Sequence, residues 1–441
     1  MSEKSGQPRP SLSVFDGALM IIGIIIGIGI FKFPQLVALN VDSEAIFIAA
    51  WLLGGLITLI GALVYAELAA AYPSTGGEYH FLTRAFGRDV GFLFAWARTT
   101  VIQTGAIALV AFALGDYAQE IYSFGPHGPA IYAAIALAVL TTLNIAGTSP
   151  SKTTQNLFSL VLVGAMLMIV VVGLTNGGGA PKTPTSDSSG ALGLAMVFIL
   201  LTYGGWNEAA YLSAEVRNVR RDIMRILLTG IAIVTLVYLL INVAYLHAIG
   251  LDGLRKSGTV AADVMRLGLG TSAAIVVSLI ICFAALSTMN ATIFTGARLY
   301  HALGQDLQLR HLRDWSDTGN NPRNAILVQS GIAMALVLFG AFARDGFTAM
   351  VEYTAPVFWF FMLLIGISFF VLRMRDPDRE RPFRVPLYPV TPALFSLTCA
   401  YLLYSSLAYT GTGAVVGLMV LLLGVPVLLF IRMKRIAEPA E

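Results

Sequence analysis

Twelve apolar runs divide this sequence, roughly 14–39, 45–71, 90–115, 130–148, 155–175, 191–214, 225–249, 271–303, 324–343, 347–372, 391–409 and 414–432. Each is close to the stretch of about 20 apolar residues that one helix needs to cross a bilayer. Inside hydrocarbon only helices and closed barrels can satisfy their own backbone. The expected fold is therefore all-α and integral to the membrane, with 12 transmembrane helices in one domain over residues 1–441. Composition agrees: charged residues make up 12% of the chain, against about 25% in soluble domains. The polar start, Met1 to Pro10, lacks the apolar core of a signal peptide, so the first run is expected to be retained.

An even number of spans puts both termini on one side. Lys182, Arg255, Lys256, Arg266 and Arg344 fall on the opposite side, and Lys32 and Arg98 fall within spans. The rest of the 28 basic residues lie on the side of the termini. That bias predicts cytoplasmic termini. One outer loop, Thr175 to Gly190, reads as a flexible linker, and another, Leu251 to Gly270, carries a helix-like stretch at Ala261–Arg266. The inner loop Arg373 to Pro389 is basic and proline-rich, and is expected to be extended.

Two runs are interrupted near their middles. The first carries Gly27-Ile28-Gly29 with Pro34 close behind, and the sixth carries Tyr203-Gly204-Gly205. Glycine in a helix interior costs chain entropy, and proline removes a donor. Two interrupted spans in corresponding positions make spans 1–5 and 6–10 an inverted repeat, the best sequence pointer to a transporter site. The boundaries are about 12–175 for the first repeat and 191–372 for the second, with two extra helices at about 390–433. Free carbonyls are expected at Ile25, Leu201 and Thr202, and free amides at Gly29, Ile30 and Phe31. Amides at a helix N-terminus favour an anion, and carbonyls at a C-terminus favour a cation. Together they fit an α-amino acid zwitterion. The competing reading is that the glycines only let helices pack closely.

Gly27-Ile28-Gly29-Ile30-Phe31, Tyr203-Gly204-Gly205-Trp206-Asn207 and Pro73-Ser74-Thr75-Gly76-Gly77-Glu78-Tyr79 resemble the amino acid–polyamine–organocation superfamily. The branch they look most like is the L-type amino acid transporters and their prokaryotic relatives. The resemblance implies a LeuT-like 5+5 inverted repeat plus two C-terminal helices, working by alternating access. It also implies carboxylate contacts at the amides of Ile28 and Gly29, and amine contacts at the carbonyls of Ile25, Leu201 and Gly204. Three positions depart from the family pattern. Ile28 stands where many members have Ser or Ala, Leu201 where mammalian members have an aromatic gate, and Leu162 where some prokaryotic members have a Lys. The loop after span 3 lacks the cysteine that tethers mammalian members to a glycoprotein, so no disulfide-linked heavy subunit is implied.

Charges within spans are costly and usually functional. Glu208 is read as a counter-charge for a cationic substrate, as a proton carrier, or as a cap on the inner half of span 6. Lys32 binds a carboxylate, replaces a coupling cation, or snorkels or pairs with an acid. Arg98 and Glu67 are expected to form a buried pair. Thr292, with Ser287, Thr288 and Thr295 nearby, is a candidate sodium site, or else bonds its own helix. The coupling ion, proton or sodium, stays open.

The expected function is secondary active transport of amino acids across the plasma or inner membrane. The substrate site comprises Ile25, Gly27, Ile28, Gly29, Ile30, Leu201, Thr202, Tyr203, Gly204, Asn207 and Glu208. Alternatives are a cationic amino acid or polyamine transporter, an amino acid sensor without transport, and a channel. No phosphate loop, metal-spaced histidine cluster or nucleophile elbow is present, so no enzyme, cofactor, metal or nucleic-acid role is expected.

Overall fold

A computed structural model describes residues 13–74, 76–147, 152–176, 191–209, 219–306, 322–408 and 411–437. Over those residues the chain is helical, in the order α1 (Val14–Ile25), α2 (Gly29–Ala38), α3 (Glu44–Ala71), α4 (Gly77–Phe86) and α5 (Arg88–Gln119). There follow α6 (Gly128–Ile145), α7 (Lys152–Thr175), α8 (Leu192–Thr202), α9 (Trp206–Ala209), α10 (Val219–Lys256), α11 (Val260–Leu269) and α12 (Thr271–Asp306). The last are α13 (Arg323–Ala341), α14 (Gly346–Arg375), α15 (Val390–Ala408), α16 (Thr412–Leu422) and α17 (Gly424–Ala437).

Among the described residues, nine helical segments are long and apolar enough to cross a membrane, counting α16 and α17 together over Thr412–Phe430. A tenth arises if α1 and α2, bent by 59° at the break between them, form one span. Val161–Thr175 in α7 and Leu192–Thr202 are apolar but shorter. This is a multi-pass membrane protein. Its outward residues match: Leu52, Leu56, Leu167, Val171 and Leu236 are each more than half exposed, on helices whose other faces are buried. In water such a surface would be a liability; in lipid it is the solvated face.

Local chemistry sets the ends of the helices. Ser13 starts α1 with a capping box: its hydroxyl accepts from the Asp16 amide at 3.2 Å, and Asp16 accepts from the Ser13 amide at 3.3 Å. Ser43 caps α3 through the Ile46 amide at 3.2 Å, and Asp345 caps α14 through the Phe347 amide at 2.9 Å. The expected outer helix at Ala261–Arg266 lies within α11. The linker predicted at Thr175–Gly190 falls mostly outside the described residues. In the interior, α1 packs on α9 and α10, α2 on α8, and α3 on α10, while α14 lies against α5, α15 and α16.

One expected pair is not made. Arg98 does not meet Glu67; it meets Glu78, on the first turn of α4. The short helix α4 folds between α3 and α5 and brings a nearer acid to Arg98. Glu67 instead anchors the inner loop: it accepts the Val385 amide at 2.6 Å and lies 3.2 Å from Arg373 and 3.5 Å from Arg381. Nearby, outside the membrane segments, Arg84 and then Tyr72 bond Asp376 and hold its carboxyl below the usual range.

Glu67 is 2% exposed, so removing its charge takes from Arg373 and Arg381 the carboxylate they share. Glu67→Gln is expected to cost about 3 kcal/mol. It should lower the thermal midpoint in detergent and open the Arg379–Arg384 segment to trypsin. Asp378→Asn, at an exposed position of the same loop, should do neither.

Candidate functional site

The helical ladder of α1 stops at Ile25. The Ile26 amide still reaches back to the Ile22 carbonyl at 2.9 Å, but Ile26 itself is extended, with φ −70° and ψ 107°. The chain resumes at Gly29 as α2, whose N-terminus carries no side-chain cap. The first amides of a helix have no i−4 partner within it, but Phe31, expected to be free, donates to the Ile28 carbonyl at 3.1 Å in a tighter first turn. On the facing segment, α8 stops at Thr202. The Gly204 amide closes a tight turn on the Leu201 carbonyl at 3.1 Å, and Gly205 takes φ +96° before α9 begins.

The two interruptions touch. A Cβ on Gly29 would stand 3.3 Å from Thr202 Cα, and one on Gly205 would stand 3.0 Å from the Ile24 carbonyl oxygen. These two glycines serve close approach. The other two do not: a Cβ on Gly27 would meet only the Ile25 carbonyl oxygen, at 3.9 Å, and one on Gly204 only the Leu201 carbonyl of its own turn, at 2.9 Å. Thus Gly29 and Gly205 let the segments meet, and Gly27 leaves room beside the meeting point.

Tyr238 of α10 joins both interruptions. Its hydroxyl lies 3.0 Å from the Ile25 carbonyl oxygen and 3.3 Å from that of Thr202. A phenol has one proton to donate. It can serve one of the two carbonyls at a time and leaves the other available to a different donor. The ring is fully buried, held edge-on by Trp51 at 6.0 Å and by Tyr203 at 5.0 Å between centroids.

The sequence-predicted residues divide accordingly. Ile25, Gly27, Ile28, Gly29 and Ile30 surround the first interruption; Leu201, Thr202, Tyr203 and Gly204 form the second. Tyr203 points its hydroxyl at the Trp51 carbonyl, 3.1 Å away, and the Thr202 hydroxyl donates to Phe198 of its own helix at 2.8 Å. Their backbones, not their side chains, face the junction. Asn207 donates to Glu78 at 3.0 Å. Glu208 belongs to α9, but its side chain lies outside the described residues.

Lys32 is 5% exposed and points away from the junction. Its ammonium lies 2.6 Å from Asp116 on α5 and donates to the Gly258 carbonyl at 2.9 Å. A cavity of about 350 Å³ opens beside it, lined also by Gln119, Glu120 and Thr259. The Thr292 hydroxyl donates to Thr288 of its own helix at 2.8 Å, and its carbonyl takes Gln103 at 2.9 Å. Sequence reasoning missed Tyr238 and Asp116. A lone tyrosine in an apolar run carries no signal by itself. Asp116 could have been found, since a buried Lys32 demands an acid from a neighbouring span.

A family model described as amino acid permease matches residues 12–430. The chain belongs to this amino acid permease family. It is 29% identical over 407 residues to mouse b(0,+)-type amino acid transporter 1, covering 89% of this chain and 82% of that one. It is 28% identical over 437 residues to the human cystine/glutamate transporter, covering 95% and 85% respectively. It is 27% identical over 429 residues to the serine/threonine exchanger SteT of Bacillus subtilis, covering 95% and 96%. These relatives are transporters, not enzymes.

Gly205 carries the tightest constraint in this permease's junction, combining positive φ with contact to the Ile24 backbone. Gly205→Ala should destabilise the protein by about 2 kcal/mol. The check is the thermal midpoint of the purified variant in detergent.

Proposed function

We infer that this permease carries amino acids across the plasma or inner membrane by alternating access, with both termini cytoplasmic. In this reading α1 with α2 is the first of twelve spans, and α8 with α9 is the sixth. Each opens one half of an inverted repeat, and α15 to α17 supply the two extra spans. The substrate carboxylate lies on the amides of Ile28 and Gly29. Its ammonium lies on the carbonyls of Ile25, Leu201 and Gly204. A side chain attached to such a backbone extends toward Leu201 and Asn207.

The observation that carries this reading is the junction itself. Two helix ends with unequal poles meet where Gly27 has open space beside it and where one phenol proton faces two carbonyls. Close packing explains Gly29 and Gly205 but not Gly27. The relatives' names point to amino acids of varied side chain, which fits recognition through the backbone. The reading includes no disulfide-linked partner; the two cysteines are Cys282, inside α12, and Cys399, buried in α15.

Gly27→Ala separates the two explanations for the glycines. The added methyl meets no side chain, so the unliganded midpoint should stay near wild type. It fills the space assigned to the substrate, so affinity should fall about tenfold or more, the scale of about 1–3 kcal/mol for overpacking. A thermal-shift screen of single amino acids, followed by counterflow in liposomes with each hit, reads both. A wild-type protein that no amino acid stabilises or exchanges would end this reading.

A further inference from the structure

Asn207 sits two residues beyond the Gly205 turn, and its amide is engaged away from that turn. It donates to Glu78 Oε1 at 3.0 Å. Glu78 is 4% exposed and lies on the first turn of α4, a helix too short to span. The same oxygen accepts the Tyr65 hydroxyl at 3.2 Å, and the other carboxylate oxygen takes Arg98. One carboxylate thus gathers α3, α5 and α9. Tyr65 also packs edge-on against Trp206, with centroids 5.1 Å apart, so α9 is gripped at both of its first two residues.

The chemistry of this cluster is uneven. Glu78 and Arg98 neutralise each other, and separating them would leave Glu78 a buried, unpaired charge. Asn207 is uncharged and bonds an ionised acceptor, which makes its bond strong for an amide. Yet, like Tyr65, it can let go without uncovering a charge, and of the two it is the one on α9. Between it and the Thr202–Gly205 turn stands only Trp206, so a shift of Asn207 moves the turn.

We propose that Glu78 is a positioning residue for the substrate site. It holds Asn207, and through Asn207 it holds the carbonyls of the Thr202–Gly205 turn where the substrate ammonium is received. Release of Asn207, with Glu78 kept on Arg98, is the step that frees α9 to swing about Gly205. The proposal rests on the transport reading above and adds to it a residue that never touches substrate.

The test compares full-length wild type with Asn207→Asp, Glu78→Gln and the double variant, using the common amino acids singly as probes. Asn207→Asp sets two carboxylates at hydrogen-bond distance beside Arg98 and Tyr65, so its Kd should rise about tenfold. The double variant exchanges amide and carboxylate and should bind as wild type does. Glu78→Gln alone keeps the acceptor but loses the charge; its Kd should rise severalfold. Should Asn207→Asp not fold, Glu78→Gln decides.

Wild-type affinity in every folded variant would overturn the proposal while leaving the transport reading intact. So would a lowered midpoint with unchanged Kd, the mark of a purely structural cluster. Wild-type protein that binds none of the probes would instead remove the transport reading and this proposal together.

Discussion

In hydrocarbon a peptide group has no water to turn to, so every interrupted helix must find partners inside the protein. The ends of α1 and α8 answer to that constraint. Each stops in mid-sequence, and each hands a carbonyl to the neighbourhood of one phenol, Tyr238. Because a phenol donates once, the two ends remain one proton short. Glycine makes the meeting possible where the backbones touch, at Gly29 and Gly205, and leaves space at Gly27. In the proposed reading, a dipolar guest with an ammonium and a carboxylate supplies what the junction lacks.

Charge is handled in the same economical way around this centre. Lys32 is matched to Asp116, Glu67 to Arg373 and Arg381, and Glu78 to Arg98. None of these pairs is local in sequence, and each ties together elements from different parts of the chain. Two of them flank the interruptions along the chain: Lys32 follows the first, and Glu78 reaches the second through Asn207. The helices beside the junction are therefore held by a few polar bonds set in apolar surroundings, where breaking one is costly and making it is specific.

The membrane class and most spans were legible because hydropathy reports length directly. The count was less so: Val161–Thr175 and Leu192–Thr202 are apolar but fall short of spanning length on their own. The glycine pairs marked where α1 and α8 stop, since few residues but glycine tolerate the Gly205 conformation. Which glycine serves contact and which leaves space depends on the facing chain, and one sequence does not say. Tyr238 was invisible because a tyrosine in an apolar run reads as core until its hydroxyl is placed. The expected Arg98–Glu67 pair failed because α4 intervenes and because the inner loop, some 300 residues on in sequence, returns to Glu67. Side chains that would answer for Glu208 lie outside the described residues.

The most direct measurement is an experimental density map of the protein bound to the amino acid that stabilises it most. The account predicts guest carboxylate within hydrogen-bond distance of the Ile28 and Gly29 amides, and guest ammonium at the Ile25 carbonyl, with both helices interrupted. Unbroken helical hydrogen bonding through Ile25–Gly29, or a guest backbone held away from both interruptions, would contradict it.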